Sequence, residues 1–137
     1  ESVLAHRKGT NRPHKGIDLF AEAGTEVRVA RGGSVLRVVD GRGSKTESLR
    51  RAGLFVDVRG ADALVYRYLH LGAVHVMKGT SVPQGTVLGT VAAAHTSGLA
   101  EAPHLHFEIR KGDYDRTTED YGPPVDPLRI LPPLHTA

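Results

Sequence analysis

From Thr25 onward, apolar and polar residues alternate in short runs punctuated by glycine, the period-two signature of half-buried strands. Val27 and Val29 alternate with polar neighbours, and Gly32-Gly33 then turns the chain into Ser34 to Val39. Leu54, Val56 and Val58 form the next alternating set, closed by Gly60. Leu64 to Leu71 gives a fourth strand, and Phe107 belongs to a later one. Between them, the basic Gly41 to Arg51 stretch reads as an exposed loop. No segment carries an apolar stripe at helical spacing over ten or more residues. With 16 glycines and 8 prolines, the chain is unsuited to a helical bundle, and the expected class is all-β.

Three places repeat one another: Gly24-Thr25-Glu26-Val27, Gly79-Thr80-Ser81-Val82 and Gly85-Thr86-Val87-Leu88. In each, glycine permits a turn and the following residues enter a strand, which is either ordinary turn chemistry or a structural repeat. After Arg110 the pattern changes. Lys111 to Tyr121 is polar and acidic-leaning, and Gly122-Pro123-Pro124 and Pro132-Pro133 cannot lie in central strands. A loop followed by an extended wrap across the sheet is expected there, with at most one helical turn after Asp126-Pro127.

At 137 residues the chain is expected to be one domain over 1–137, with a core over about 12–110 and a wrapping tail over 111–137. It opens on Glu1 rather than Met, with no charged-then-apolar stretch after it, and is expected to be a processed or excised piece whose targeting signal is not legible here. The absence of cysteine removes disulfides, thiol nucleophiles and zinc ribbons together. A formal charge of +3 suits anionic polymers such as bacterial cell wall without specifying nucleic acid. The lack of Trp and the 5% aromatic content leave no stacking platform for bases, so no nucleic-acid partner is expected. No apolar run is long enough for membrane insertion.

Eight histidines are the unusual feature. Read as a strand, His104-Leu105-His106-Phe107-Glu108-Ile109-Arg110 places Leu105, Phe107 and Ile109 on one face and His104, His106, Glu108 and Arg110 on the other. In His14-Lys15-Gly16-Ile17-Asp18, a four-residue offset puts His14 and Asp18 on one side, and Pro13 and Gly16 favour a strand over a helix. In Tyr66-Arg67-Tyr68-Leu69-His70-Leu71, alternation puts Tyr66, Tyr68 and His70 together and opposite Leu69 and Leu71. Each segment alone has a bland reading as a polar face or a satisfied interior histidine. Together they present four histidines and one aspartate. Two histidines and a carboxylate make a three-donor set that leaves a fourth position for water, as in a catalytic zinc site. Two further histidines are what amide hydrolysis needs, one to take a proton and one to steady an oxyanion. Glu108 shares the face of His106 and either supports its imidazole or pairs with Arg110. His6, His75 and His135 lack partner spacing and read as solvated, as does His95.

The motifs His14-x3-Asp18, Tyr68-x-His70 and His104-x-His106, in that order, resemble those of the lysostaphin/LytM-type zinc endopeptidases, which cleave peptidoglycan cross-bridges. The stretches HKGIDL, GTEVRVARGGSV, YLHL, VPQGTVLG and PHLHFE carry the likeness from about Arg12 to Glu108. The resemblance implies an antiparallel β-sheet groove built on a duplicated hybrid motif. It implies zinc held by His14, Asp18 and His106, with His104 as general base and His70 orienting water or stabilising the transition state. It also implies peptidoglycan cross-bridge or stem peptides as partners and a periplasmic or extracellular place in the cell envelope. A regulatory or inhibitory protein partner is compatible with it. The segment Val91 to Pro103, which borders the cleft in the family, holds one glycine here, Gly98.

Two other classes compete. A binding or scaffold relative of the same fold typically lacks one or more of the five key residues, and all five stand here. A biotinyl or lipoyl carrier needs a lysine on a tight hairpin, and Met77-Lys78 is the sole suggestion of one. No His-Glu-x-x-His helix and no serine nucleophile elbow is present.

Overall fold

In the computed structural model, residues 16–130 are described. They form nine strands and two short helices: β1 (Ile17–Phe20), β2 (Glu26–Arg28), β3 (Gly33–Asp40), α1 (Glu47–Ala52), β4 (Leu54–Gly60), β5 (Val65–Val74), β6 (Ser81–Val82), β7 (Val87–Val91), β8 (His104–Arg110), β9 (Pro124–Val125) and α2 (Pro127–Ile130). The strands join one antiparallel sheet in the order β1-β8-β5-β4-β3-β6, with β7 linking β2 to β5 and β9 added to β8. The all-β expectation is met.

One face of this sheet is apolar, because the alternating positions of several strands converge there. Val56 and Val58 of β4, Tyr66 and Tyr68 of β5, and Phe107 and Ile109 of β8 are almost wholly buried together. Removing such side chains from water is the main favourable contribution to folding. Tyr68 also accepts the Ala30 N–H through its hydroxyl at 2.9 Å, and Tyr66 hydrogen-bonds Asp62, so both phenols are satisfied in the core.

The Gly-Thr repeats are three copies of one turn. Gly24, Gly79 and Gly85 have φ of 89°, 87° and 87°, a region that favours glycine. Each glycine N–H donates to a valine carbonyl, and that valine's N–H donates to the next threonine carbonyl; the valines are Val91, Val35 and Val29 respectively.

One segment differs from the sequence pattern. Gly41 to Arg51 contains α1 rather than loop alone. This helix buries no residue, so no apolar stripe reveals it. Glu47 in its first turn, Arg50 and Arg51 in its last, and a Glu47–Arg51 ion pair of 2.8 Å support it locally. The sheet's other face is covered by the segment after β8. Phe55 and Asp57 are buried on it, and residues from Tyr114 to Tyr121 lie over the Arg37 guanidinium. The described part of the segment after Arg110 lies over this face, and residues 131–137 of the expected wrapping tail lie outside the described residues. Pro124 lies in the edge strand β9, where a missing N–H costs no central ladder bond, and α2 is the single turn after Asp126.

Candidate active site

Topology alone brings three chemistry-bearing strands together. Strand β8 lies between β1 and β5, and its register pairs His106 with Asp18 on one side and with Leu69 on the other. Directly opposed residues project to the same face, so Asp18 and His106 meet there. Phe20 pairs with His104, and their rings lie 5.3 Å apart. The expected division of β8 holds: Leu105, Phe107 and Ile109 join the apolar cluster, while His104, His106, Glu108 and Arg110 take the opposite face. His14 lies outside the described residues.

The two histidines of β8 turn different nitrogens to the site. His106 Nδ1 lies 2.7 Å from Asp18 Oδ1, and its Nε2 lies 2.9 Å from Glu108 Oε2. His104 Nδ1 lies 2.9 Å from the Ala102 carbonyl, and its Nε2 is 3.7 Å from Asp18 Oδ1. A carbonyl only accepts, so the Ala102 contact places a proton on His104 Nδ1 and leaves Nε2 as the nitrogen that faces Asp18. Burial alone would lower the pKa of His106, yet hydrogen bonds to Asp18 and Glu108 raise it to about 9. In the metal-free protein both ring nitrogens of His106 thus face carboxylate oxygens, and a metal bound at Nδ1 would take the place of one proton.

His70 reaches this face by breaking the pattern of its strand. Tyr66 and Tyr68 point into the apolar core, and alternation would send His70 after them. Instead His70 has φ +66°, the β4–β5 register shifts between Leu54 and Val56, and Leu71 takes the core position. The His70 ring then lies 4.9 Å from that of His104 and 6.0 Å from that of His106. The expected grouping of His70 with Tyr66 and Tyr68 is thus corrected: a bulge re-aims the side chain to the other face. Burial, followed by the charges of His104 and His106, lowers its pKa to about 4, so His70 is neutral at pH 7. The Ser97 backbone pulls the other way, although no hydrogen bond of ordinary geometry reaches the buried Nδ1.

The loop after β7 supports this arrangement. Ser97 is fully buried and its hydroxyl accepts the Leu54 N–H at 3.0 Å. Gly98 has φ +70°, and a Cβ there would come within 2.2 Å of the Arg51 carbonyl oxygen and 2.7 Å of His70 Nδ1. The single glycine of the loop stands where the backbone approaches the histidine. Beyond His104, a cleft of about 330 Å³ is lined by Phe20, Leu99, Glu101, Ala102 and His104. His75 and His95 are exposed, as expected.

Among the described residues, no group of three His, Cys, Asp or Glu side chains converges as a metal cage. Asp18 and His106 supply two compatible donors, a carboxylate oxygen and an imidazole nitrogen whose partner nitrogen is already engaged. Such a set fits a borderline ion such as zinc. The third expected donor is the undescribed His14. Sequence reasoning set aside Glu108, whose i+2 spacing from His106 was its only signal. It had no signal for the covering of Asp57 or for the ion pairs of Arg67 and Asp120.

Residues 12–127 match the model of Peptidase family M23. The cell division protein DipM of Caulobacter vibrioides is 37% identical over 91% of this chain and 18% of its own length. The peptidoglycan DD-endopeptidase ShyC of Vibrio cholerae is 31% identical over 74% of this chain and 21% of its own. The chain thus spans about a fifth of these relatives (18% and 21%). Among solved structures, a mutant catalytic domain of the prophage-encoded M23 protein EnpA from Enterococcus faecalis aligns with a TM-score of 0.67 at 29% identity, covering 93% of this chain and 86% of that one. The catalytic domain of lysostaphin from Staphylococcus simulans gives a TM-score of 0.67 at 23% identity over 96% and 89%, a likeness of fold.

Proposed function

This chain belongs to peptidase family M23, and from that premise we propose that it is a zinc-dependent endopeptidase hydrolysing the peptide cross-links of bacterial peptidoglycan. The observation that carries the reading is the complementary presentation of nitrogens on β8. His106 turns Nδ1 toward Asp18, whereas His104 keeps its proton on Nδ1 and turns Nε2 to the same carboxylate. One strand thereby offers a donor nitrogen and a base nitrogen side by side.

His14, Asp18 and His106 would hold the zinc ion, which when bound lowers the pKa of water and polarises a carbonyl. His104 Nε2 is placed to take a proton, and the Ala102 carbonyl stabilises the charge that the ring then carries through Nδ1–H. His70, kept neutral by burial, donates a ring N–H to the oxygen on which negative charge develops. The cleft beside His104 leaves room for a substrate chain next to that base. The charge of +3 favours an anionic polymer. The name of the 31% identical relative from Vibrio cholerae points to peptidoglycan peptides. Such a substrate places the protein in the cell envelope. Among the described residues, no helix is long and apolar enough to cross a membrane.

Digestion of purified peptidoglycan, with products identified by mass spectrometry, tests the proposal. Cross-linked peptides are expected to be cut by the native protein, spared after chelation, and cut again on zinc addition, with His104→Ala inactive throughout. If the zinc-loaded protein binds every wall type but cuts none, the reading fails and a binding or regulatory domain replaces it. That second reading draws on the 37% identical relative named for cell division. Against it stand Asp18, His70, His104 and His106, all in place.

A further inference from the structure

Beneath His106 lies a buried ionic network that the proposed chemistry does not use. Glu108 divides its two oxygens. Oε2 lies 2.9 Å from His106 Nε2, while Oε1 faces Arg110 at 3.0 Å and Arg67 at 3.9 Å. Arg67 is gripped by the fully buried Asp57, and Asp120 pairs with both Arg67 and Arg110. Asp120 belongs to the segment that wraps back over the sheet after β8.

A neutral imidazole has one lone pair and one N–H, and only the lone pair can bind a metal. A carboxylate can only accept. With a metal on the Nδ1 lone pair, the one N–H of His106 lies at Nε2, where the Glu108 carboxylate accepts it at 2.9 Å. Arginines only donate, so Arg67 and Arg110 require an oxygen at the Oε1 position and keep Glu108 from rotating away. We propose that Glu108 is a positioning residue that sets which nitrogen of His106 meets the metal, and that Asp120, through Arg67 and Arg110, makes the segment after β8 part of this support. The inference rests on the zinc reading above and adds to it a residue beyond the three expected ligands.

Glu108→Gln is the informative change. Its amide oxygen is drawn to the arginines, so its NH2 is left facing His106 Nε2, where a donor meets a donor. Zinc affinity, measured by competition with a chromophoric chelator, is expected to fall about 10- to 100-fold. In 15N–1H correlation spectra of the zinc-loaded protein, the wild type is expected to show His106 protonated at Nε2, and the variant to lose that signature. Asp120→Asn, at the half-exposed margin, is expected to weaken zinc a few-fold with the fold retained, and it carries the test alone should Glu108→Gln not fold. A lowered Tm with wild-type zinc affinity and an unchanged His106 tautomer means that the network is structural only, and overturns the inference. A wild-type protein that takes up no zinc overturns the metal reading and this inference with it, whereas normal uptake indifferent to both variants overturns this inference alone.

Discussion

Strands β5 and β8 are neighbours, and each delivers histidine to one face by opposite means. β8 obeys strict alternation, so His104 and His106 stand opposite a row of core residues. β5 obeys it as far as Tyr68 and then breaks it, with His70 at φ +66° and Leu71 in the core. The regular strand can carry two groups whose hydrogen bonds differ. The bulged strand places one group with a third orientation, at a cost of about 1–3 kcal/mol for a strained non-glycine backbone. In exchange, a neutral imidazole sits between two strands where alternation would have left Leu71.

Removing the key histidine of each strand should separate their roles most sharply. His106→Ala is expected to abolish zinc uptake and reduce wall cleavage by at least about 10³-fold. His70→Ala is expected to retain zinc and lower kcat about 10²- to 10³-fold with little change in KM. Metal analysis beside steady-state kinetics checks both. Equal zinc loss in the two variants would erase the distinction drawn here.

The brace behind the bulge gives a smaller effect, on stability. Gly98→Ala must adopt φ +70° and meet both the Arg51 carbonyl and His70 Nδ1. A loss of about 2–4 kcal/mol is expected, read as a lower urea midpoint at unchanged slope. Gly79→Ala makes a control, because its added Cβ would meet nothing within 4 Å despite φ +87°. A loss there as large as at Gly98 would leave no particular role for the approach to His70.

The subtlest contrast lies in pH. In the metal-free protein, His106 has a pKa raised to about 9 and His70 one lowered to about 4, against 6.5 for an ordinary histidine. His106 binds more protons folded than unfolded between 6.5 and 9, so its stabilisation is complete below 6.5 and lost as pH rises through 9. His70 binds fewer protons folded than unfolded between 4 and 6.5, so its contribution declines as pH falls through that window. Together they place a maximum near pH 6.5 in the Tm of the chelated protein. His106→Ala should flatten the alkaline limb and His70→Ala the acid limb. Limbs that survive these changes would trace to other groups.

Much of this was legible in residue order. The polar and apolar faces of β8 follow from its two-residue period, and the Gly-Thr turns follow from glycine's access to positive φ. Helix α1 was not legible, since it buries nothing and so writes no periodic signal. The position of His70 was misread because alternation was extended through a bulge. A bulge has no sidedness in sequence until a partner strand fixes the register on both sides of it.

The sequence by itself determined the all-β class, and it nominated Asp18, His70, His104 and His106 with the undescribed His14 as candidates. Local spacing suffices for these, because strand faces and turn chemistry depend on near neighbours. Tertiary structure alone decided which nitrogen each histidine turns inward, since that follows from acceptors at Ala102 and Glu108 whose placement is a property of the folded chain. It also decided that Glu108 is held by arginines from two strands and by Asp120 from the wrapping segment. Those contacts join residues up to 53 positions apart, and only the closed sheet brings their charges within reach of one another.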